Sequence, residues 1–175
     1  MIALRKLRQM ESLPALAFSD ALFLAADDHC RDASKNGLTS SIGSKDQSGM
    51  NSSPYSRVAR YADARGVAES MTFGQDKATE VVLQMLIDAS KREKIFDKGY
   101  CKAAVSTCKG KDFDLAVTNY ADSVNLNQDG KDKISKVTND AKDKLSKGID
   151  IDMSKIENYN KLLVKYMEQQ ELARL

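Results

Sequence analysis

Apolar residues along the chain alternate between two spacings. Helical spacing governs the N-terminal part. Residues 3–12 place Leu4 and Leu7 on one face of a short amphipathic helix, and Pro14 with Leu13, Leu16 and Phe18 then forms an extended connection. Ser19 is an N-cap, since its hydroxyl can accept from first-turn amides. The helix it opens, Asp20 to about Ser34, carries Leu22, Phe23, Ala25, Ala26 and Cys30 and stops at Asn36-Gly37. From Leu38 to Ser53 the chain is rich in Ser and Gly, a loop composition. Ser53-Pro54 starts a short helix through Tyr55, Val58 and Tyr61 to about Ala64.

A strand-like segment follows between Gly66 and Gly74, in which Val67, Met71 and Phe73 flank Glu69. Asp76 is placed to cap the next helix, whose residues Ala78, Val81, Val82, Leu83, Met85, Leu86 and Ile87 bury most of its circumference before Asp88 ends it. The basic stretch Lys91-Arg92-Glu93-Lys94 reads as a solvated loop leading to Ile95-Phe96. Period-two alternation then predicts strands from Tyr100 to Cys108 and from Phe113 to Ala121, joined by a turn at Lys109-Gly110-Lys111-Asp112. After about Val124 the composition shifts to Asn, Asp and Lys. A narrow apolar stripe marks a helix from Gly130 to Lys147. Ser154 and Glu157 form a capping box for a last helix presenting Ile156, Tyr159, Leu163 and Tyr166. The expected organisation is a body of residues 1–124 and a helical C-terminal extension of residues 125–175, with those four residues as candidates for binding a protein partner.

Composition narrows the function. The chain has 175 residues, 42% hydrophobic and 30% charged, with a net charge of +2. Mixed signs argue against a nucleic-acid binder, which needs a clustered basic face. No run approaches the roughly 20 apolar residues of a membrane span. Arg5, Lys6 and Arg8 interrupt the apolar N-terminus, so it does not read as a secretory signal; a basic amphipathic N-terminus also has features of a mitochondrial presequence. The cytoplasm is the expected location, with Cys30, Cys101 and Cys108 expected as reduced thiols. Asn125, Asn127, Asp129 and Gly130 mimic the start of a calcium loop, but Lys136 stands where the bidentate Glu belongs. The sole imidazole, His29, has no Ser or Cys motif around it to make a nucleophilic triad.

The order of features resembles the CAP superfamily of cysteine-rich secretory, antigen-five and pathogenesis-related-one proteins, in its SCP-like form. The residues that carry the resemblance are Asp28-His29, Gly37-Leu38-Thr39, Gly43-Ser44, Arg57 and Tyr61, the Glu69 segment, Ile87-Asp88, Arg92, Ile95-Phe96 and Tyr120-Ala121. The resemblance implies an α+β fold, a three-layer α-β-α sandwich around an antiparallel sheet, with a central cleft. It implies a cleft with two His and two acids, which in some members hold a divalent metal. Here Ser41 stands at the first His position, Ala68-Glu69-Ser70 replaces a Gly-Glu-Asn motif, Asp88 matches the second acid, and Lys91 stands at the second His position. His29 matches a structural His of the family. Carboxylates without imidazoles suit Zn²⁺ poorly, and Lys91 would pair with a carboxylate in a cation's place. No metal or cofactor is therefore expected.

The function expected from these residues is a non-catalytic CAP-like structural or protein-interaction module. It would be a subunit of a larger assembly, cytoskeletal or ciliary in kind, docked through its C-terminal helices. A second reading is a lipid or sterol carrier whose cavity is lined by Met71, Phe73 and Met85, residues that core packing explains equally well. A third is a residual hydrolase using Glu69 and Asp88 as an acid–base pair.

Overall fold

The computed structural model describes residues 1–45, 49–75, 77–110 and 114–145, with backbone alone from 137. Helix α1 (Ile2–Met10) buries Leu4 and Leu7. A two-residue strand β1 (Ala17–Phe18) leads to Ser19, whose side chain accepts from the Leu22 amide at 3.5 Å and caps helix α2 (Asp20–Asn36). Gly37 closes α2 in the left-handed conformation, φ 65°, which glycine adopts without the Cβ penalty. Helix α3 (Pro54–Ala59) begins with a reciprocal cap between Ser53 and Ser56. It stops at Ala59, short of Ala64, because residues Ala62–Arg65 form strand β2.

Strand β3 (Ala68–Phe73) is followed by helix α4 (Ala78–Ile87), with Lys77 at the cap position; Asp76, expected there, lies outside the described residues. The basic stretch is helix α5 (Ala89–Phe96) rather than a loop, since Asp88 ends α4 and at once caps α5, accepting from the Ser90 and Lys91 amides. Strands β4 (Lys102–Lys109) and β5 (Asp114–Ala121) are the expected hairpin. Strand β6 (Ser123–Leu126) and helix α6 (Gln128–Leu145) complete the described chain. The last expected helix, with Ile156, Tyr159, Leu163 and Tyr166, lies outside the described residues.

The main sheet runs β1-β4-β5-β3. Its three long strands pair antiparallel, and β1 adds a short parallel edge to β4. Alternation along the strands divides the side chains between two layers of helix. One face carries Glu69, Met71, Val117, Asn119, Ala104 and Ser106. It packs on α2, where Asn119 donates to the Leu22 carbonyl and Ser106 to Asp27. Met71, Leu115 and Val117 form one core with Ala26, Cys30 and Ala33. The opposite face lies under α4, where Met85 meets Thr118, and beside the Tyr100 ring stacked on Tyr120 at 5.6 Å. This is the expected α-β-α sandwich. A second ribbon pairs β2 with β6, so residues 123–126 are tied to the body by four register pairs.

Two further ties were not expected. Cys30 and Cys108 form a disulfide joining α2 to β4 across 78 residues of chain. The expectation of reduced thiols fails for these two, because the sulfurs meet only once α2 lies across β4. Cys101 is free and exposed. Arg8, fully buried, turns its guanidinium on four main-chain carbonyls: Pro14 (2.7 Å), Ile95 (3.0 Å), Asp97 (2.7 Å) and Tyr100 (3.1 Å). It thereby locks α1 onto the C-terminal end of α5, where the helix dipole favours a cation.

The chain divides into two units, Met1–Ser135 and Lys136–Leu175. The start of α6 belongs to the first. The Asn127 side chain accepts from the Gly130 amide at 2.8 Å and donates to the Ala59 and Arg60 carbonyls that end α3. The segment that mimics a calcium loop is thus the capped start of a helix.

Candidate functional site

Glu69 is the second residue of β3, opposite Asn119, with its side chain turned to the α2 face of the sheet. The Glu69 side chain has no exposed surface. A buried carboxylate requires a compensating cation and hydrogen bonds. Both come from α3. The Nη2 of Arg57 donates to both carboxylate oxygens, at 3.0 and 2.9 Å. Arg57 is itself 2% exposed, and its remaining bonds reach outward to the loop above: Nη2 to the Ser41 carbonyl (2.9 Å), Nη1 to the Ser52 carbonyl (2.9 Å) and hydroxyl (3.1 Å). The pair therefore holds strand, helix and loop together.

His29 completes the cluster from α2. Its Nε2 lies 3.0 Å from the Ser40 carbonyl and 3.5 Å from Glu69 Oε1. A carbonyl only accepts, so Nε2 carries the proton. Nδ1 is buried without a partner among the described residues, and a second proton there would find no acceptor. Burial accordingly lowers the His29 pKa, against the opposing pull of Glu69; Arg57 reinforces the lowering. His29 is a neutral imidazole that braces the 40–52 loop.

That loop folds over the pair through a few close contacts. Gly43 donates to the Ser52 carbonyl at 2.8 Å, and Ser52 donates back to Ser44 at 3.1 Å. A Cβ on Gly43 would collide with the Ser52 hydroxyl and come within 2.9 Å of Asp32 Oδ2, so no larger residue fits. Asp32 of α2 accepts from the Ser44 amide (2.7 Å), the Ser44 hydroxyl (2.6 Å) and Asn36 (2.7 Å). Burial pushes its pKa up, but the Ser44 and Asn36 hydrogen bonds outweigh it and the net shift is downward.

The four residues expected at the cleft fall into two separate pairs. Ser41 reaches the Glu69 cluster through its main-chain carbonyl alone. Asp88 and Lys91 lie on the helices of the opposite layer. They pair with each other, and the Lys91 and Ser90 hydrogen bonds hold Asp88 well below the usual carboxylate range. No hydrogen bond or ion pair links this pair to Glu69 among the described residues. The donor set at Glu69 does not fit a metal: both oxygens are bonded to Arg57 and the one nearby imidazole nitrogen donates to Ser40. Among the described residues no group of three or more His, Cys, Asp or Glu side chains could hold an ion.

The sequence marks Arg57 without a role and His29 as structural, and places neither beside Glu69. The usable signal for Arg57 was a cation on the short Pro54 helix facing the same core as Glu69; Val58, its neighbour, is in that core. For His29 it was helical spacing from Ala25, Ala26 and Ala33, which marks α2's buried face.

The model of the cysteine-rich secretory protein family, CAP, matches residues 2–120. No curated protein matches the chain. Solved structures share the fold. An outer surface protein from Borrelia burgdorferi aligns with a TM-score of 0.58 and 21% identity, over 67% of this chain and 85% of that one. An extracellular protein containing an SCP domain from Bacillus anthracis aligns at 0.59 and 15% identity, over 69% of this chain and 38% of that one. A cysteine-rich secretory protein from Staphylococcus aureus aligns at 0.54 and 8% identity, over 70% of this chain and 37% of that one.

Proposed function

The chain belongs to the cysteine-rich secretory protein family, CAP, and from that premise we propose that it is a non-catalytic member, a structural or protein-interaction domain. The observation that carries this reading is the state of Glu69. Its two oxygens are neutralised by a buried guanidinium, and it has no exposed surface from which to reach a substrate. General acid–base work requires a carboxyl within hydrogen-bond reach of a reacting group. A Lewis-acid site needs its ligands turned to the cation. Glu69 is closed to a substrate, and the Arg57 guanidinium lies across both oxygens where a cation would bind. Asp88, the intended second carboxylate, is spent on Lys91 and the start of α5.

The test is a titration of chelator-treated protein with Zn²⁺ and Mn²⁺, followed by calorimetry and by the thermal midpoint. The expected result is no stoichiometric binding and an unmoved midpoint, since any ligand of the native state raises it by mass action. Tight binding in one-to-one ratio that Glu69→Gln abolishes overturns the reading.

For its setting, the Cys30–Cys108 disulfide favours an oxidising compartment over the cytoplasm. Alkylation of chain extracted under acid quench would label only Cys101 in that case; labelling of all three cysteines would refute the assignment. The proposed partner contacts through Ile156, Tyr159, Leu163 and Tyr166 are tested by cross-linking the native particle and locating any cross-links from Lys155, Lys161 or Lys165.

A further inference from the structure

The sheet face beneath α4 breaks its own pattern. The helix presents Val81, Val82 and Met85, all buried. An apolar helix calls for an apolar sheet face, yet Ser70 and Thr72 on β3 and Thr118 and Tyr120 on β5 point towards it. Ser70 stands directly opposite Thr118, Thr72 follows Ser70 on the same face, and Tyr120 follows Thr118. None of the four is more than 4% exposed. The oxygens Ser70 Oγ, Thr72 Oγ1 and Tyr120 Oη have no hydrogen-bond partner among the described residues. Ser70 is near enough to hold the Tyr120 phenol down against the larger upward push of burial, but no aligned bond joins them. Thr118 has only the Met85 thioether at 3.9 Å, a weak acceptor.

Buried hydroxyls in native proteins find partners, and where protein supplies none, ordered water does. A water needs two to four polar neighbours, and a row of four hydroxyls on two adjacent strands offers that number. An approach exists at the N-terminal end of α4. A recess of about 320 Å³ there is lined by Ala78, Val81, Thr107 and Leu115 among others. Thr107 lies in one cross-strand row with Ala116 and Thr72, which sets the small Ala116 between the recess and the hydroxyls.

We propose that Ser70, Thr72, Thr118 and Tyr120 form an internal hydration site, which binds ordered water between β3, β5 and α4. The bound water satisfies the hydroxyls without opening the layer, and it exchanges through the recess at Thr107.

The site is tested by water ¹⁷O magnetic relaxation dispersion on the full, disulfide-intact chain, which counts water molecules held for longer than bulk exchange allows. Wild type is compared with Thr72→Val, which keeps the shape and removes the hydroxyl, and with Ser70→Ala as a second, smaller change. Folding of each is checked by circular dichroism. The expected result is a loss of roughly one long-lived water per chain in each variant, with a lowered thermal midpoint. A water count equal to wild type in both variants overturns the proposal. So does a midpoint that rises in both, because removal of bare, dry hydroxyls would relieve the layer.

Discussion

Substituting Arg57 by Met isolates what the buried pair contributes. Methionine fills much the same space on α3 but leaves the Glu69 carboxylate with no cation. The side chain has no exposed surface, so solvent cannot screen the charge. Its remaining polar neighbour is His29 Nε2 at 3.5 Å, already donating to Ser40. Removing one partner of a buried ion pair costs about 3–5 kcal/mol. The substitution also strips the Ser41 and Ser52 carbonyls of their donor, which keeps the expectation at the upper end of that range. Stability of a domain this size is about 5–15 kcal/mol, so the variant should fold but melt roughly 10–20 °C lower. The assay is urea denaturation by far-UV circular dichroism at pH 7, fitted with the slope left free. The double variant Arg57→Met, Glu69→Met supplies the control. With both charges gone, at least about 2 kcal/mol should return, since an apolar pair of similar volume often matches a buried ion pair. An Arg57→Met variant within about 1 kcal/mol of wild type would refute the reasoning, as would a double variant no more stable than the single one.

Three further outcomes follow from other contacts. The lowered pKa of His29 means that the unfolded chain binds a proton the folded chain refuses, so stability rises with pH. On acidification the loss begins near the unfolded value of about 6.5 and levels off below the folded pKa; urea midpoints from pH 8 to 5 should show it, and His29→Gln should flatten that window. Replacing Cys30 and Cys108 by Ala opens a loop of 78 residues, for which the chain-entropy relation gives about 4.5 kcal/mol; a change under about 1 kcal/mol in non-reducing buffer would show that the bridge does not constrain the unfolded chain. Arg8→Met strands four carbonyls. Charged hydrogen bonds contribute about 1.5–3 kcal/mol each, not additively, so a loss of at least about 3 kcal/mol is expected, with hydrogen exchange accelerated first at residues 95–100.

The elements most legible in the sequence are those whose local chemistry and burial agree. Ser19, Gly37, Pro54 and the alternation of Leu115 and Val117 each state locally what the fold then does. The strands β2 and β6 were hidden because each is four residues long and gains its structure from the other; nothing within Ala62–Arg65 alone distinguishes it from the end of a helix. Helix α5 reads as a loop in the sequence because it is charged on most sides, and its start depends on a cap shared with the end of α4. The same limit applies at the site. Glu69 is identifiable as a lone acid flanked by Val67, Met71 and Phe73, but the guanidinium that neutralises it comes from helix α3. Disulfide pairing is equally non-local: Cys30 meets Cys108 only once α2 lies across the sheet.

The buried carboxylate also constrains what could replace the present arrangement. A strand position on the α2 face can hold a charge only if a cation arrives from α2, α3 or the loop above. Arg57 arrives from α3 and uses its other nitrogen to bind the Ser52 carbonyl. A divalent ion placed there would have to displace Nη2 from both oxygens, and would leave a buried guanidinium with a second positive charge beside it. His29 could not help as a ligand through Nε2 without giving up Ser40. Asp88 could not help at all from the other side of the sheet. Within this fold, guanidinium and metal are thus mutually exclusive partners of Glu69. The arginine ties β3 and α3 to the Ser41 and Ser52 carbonyls.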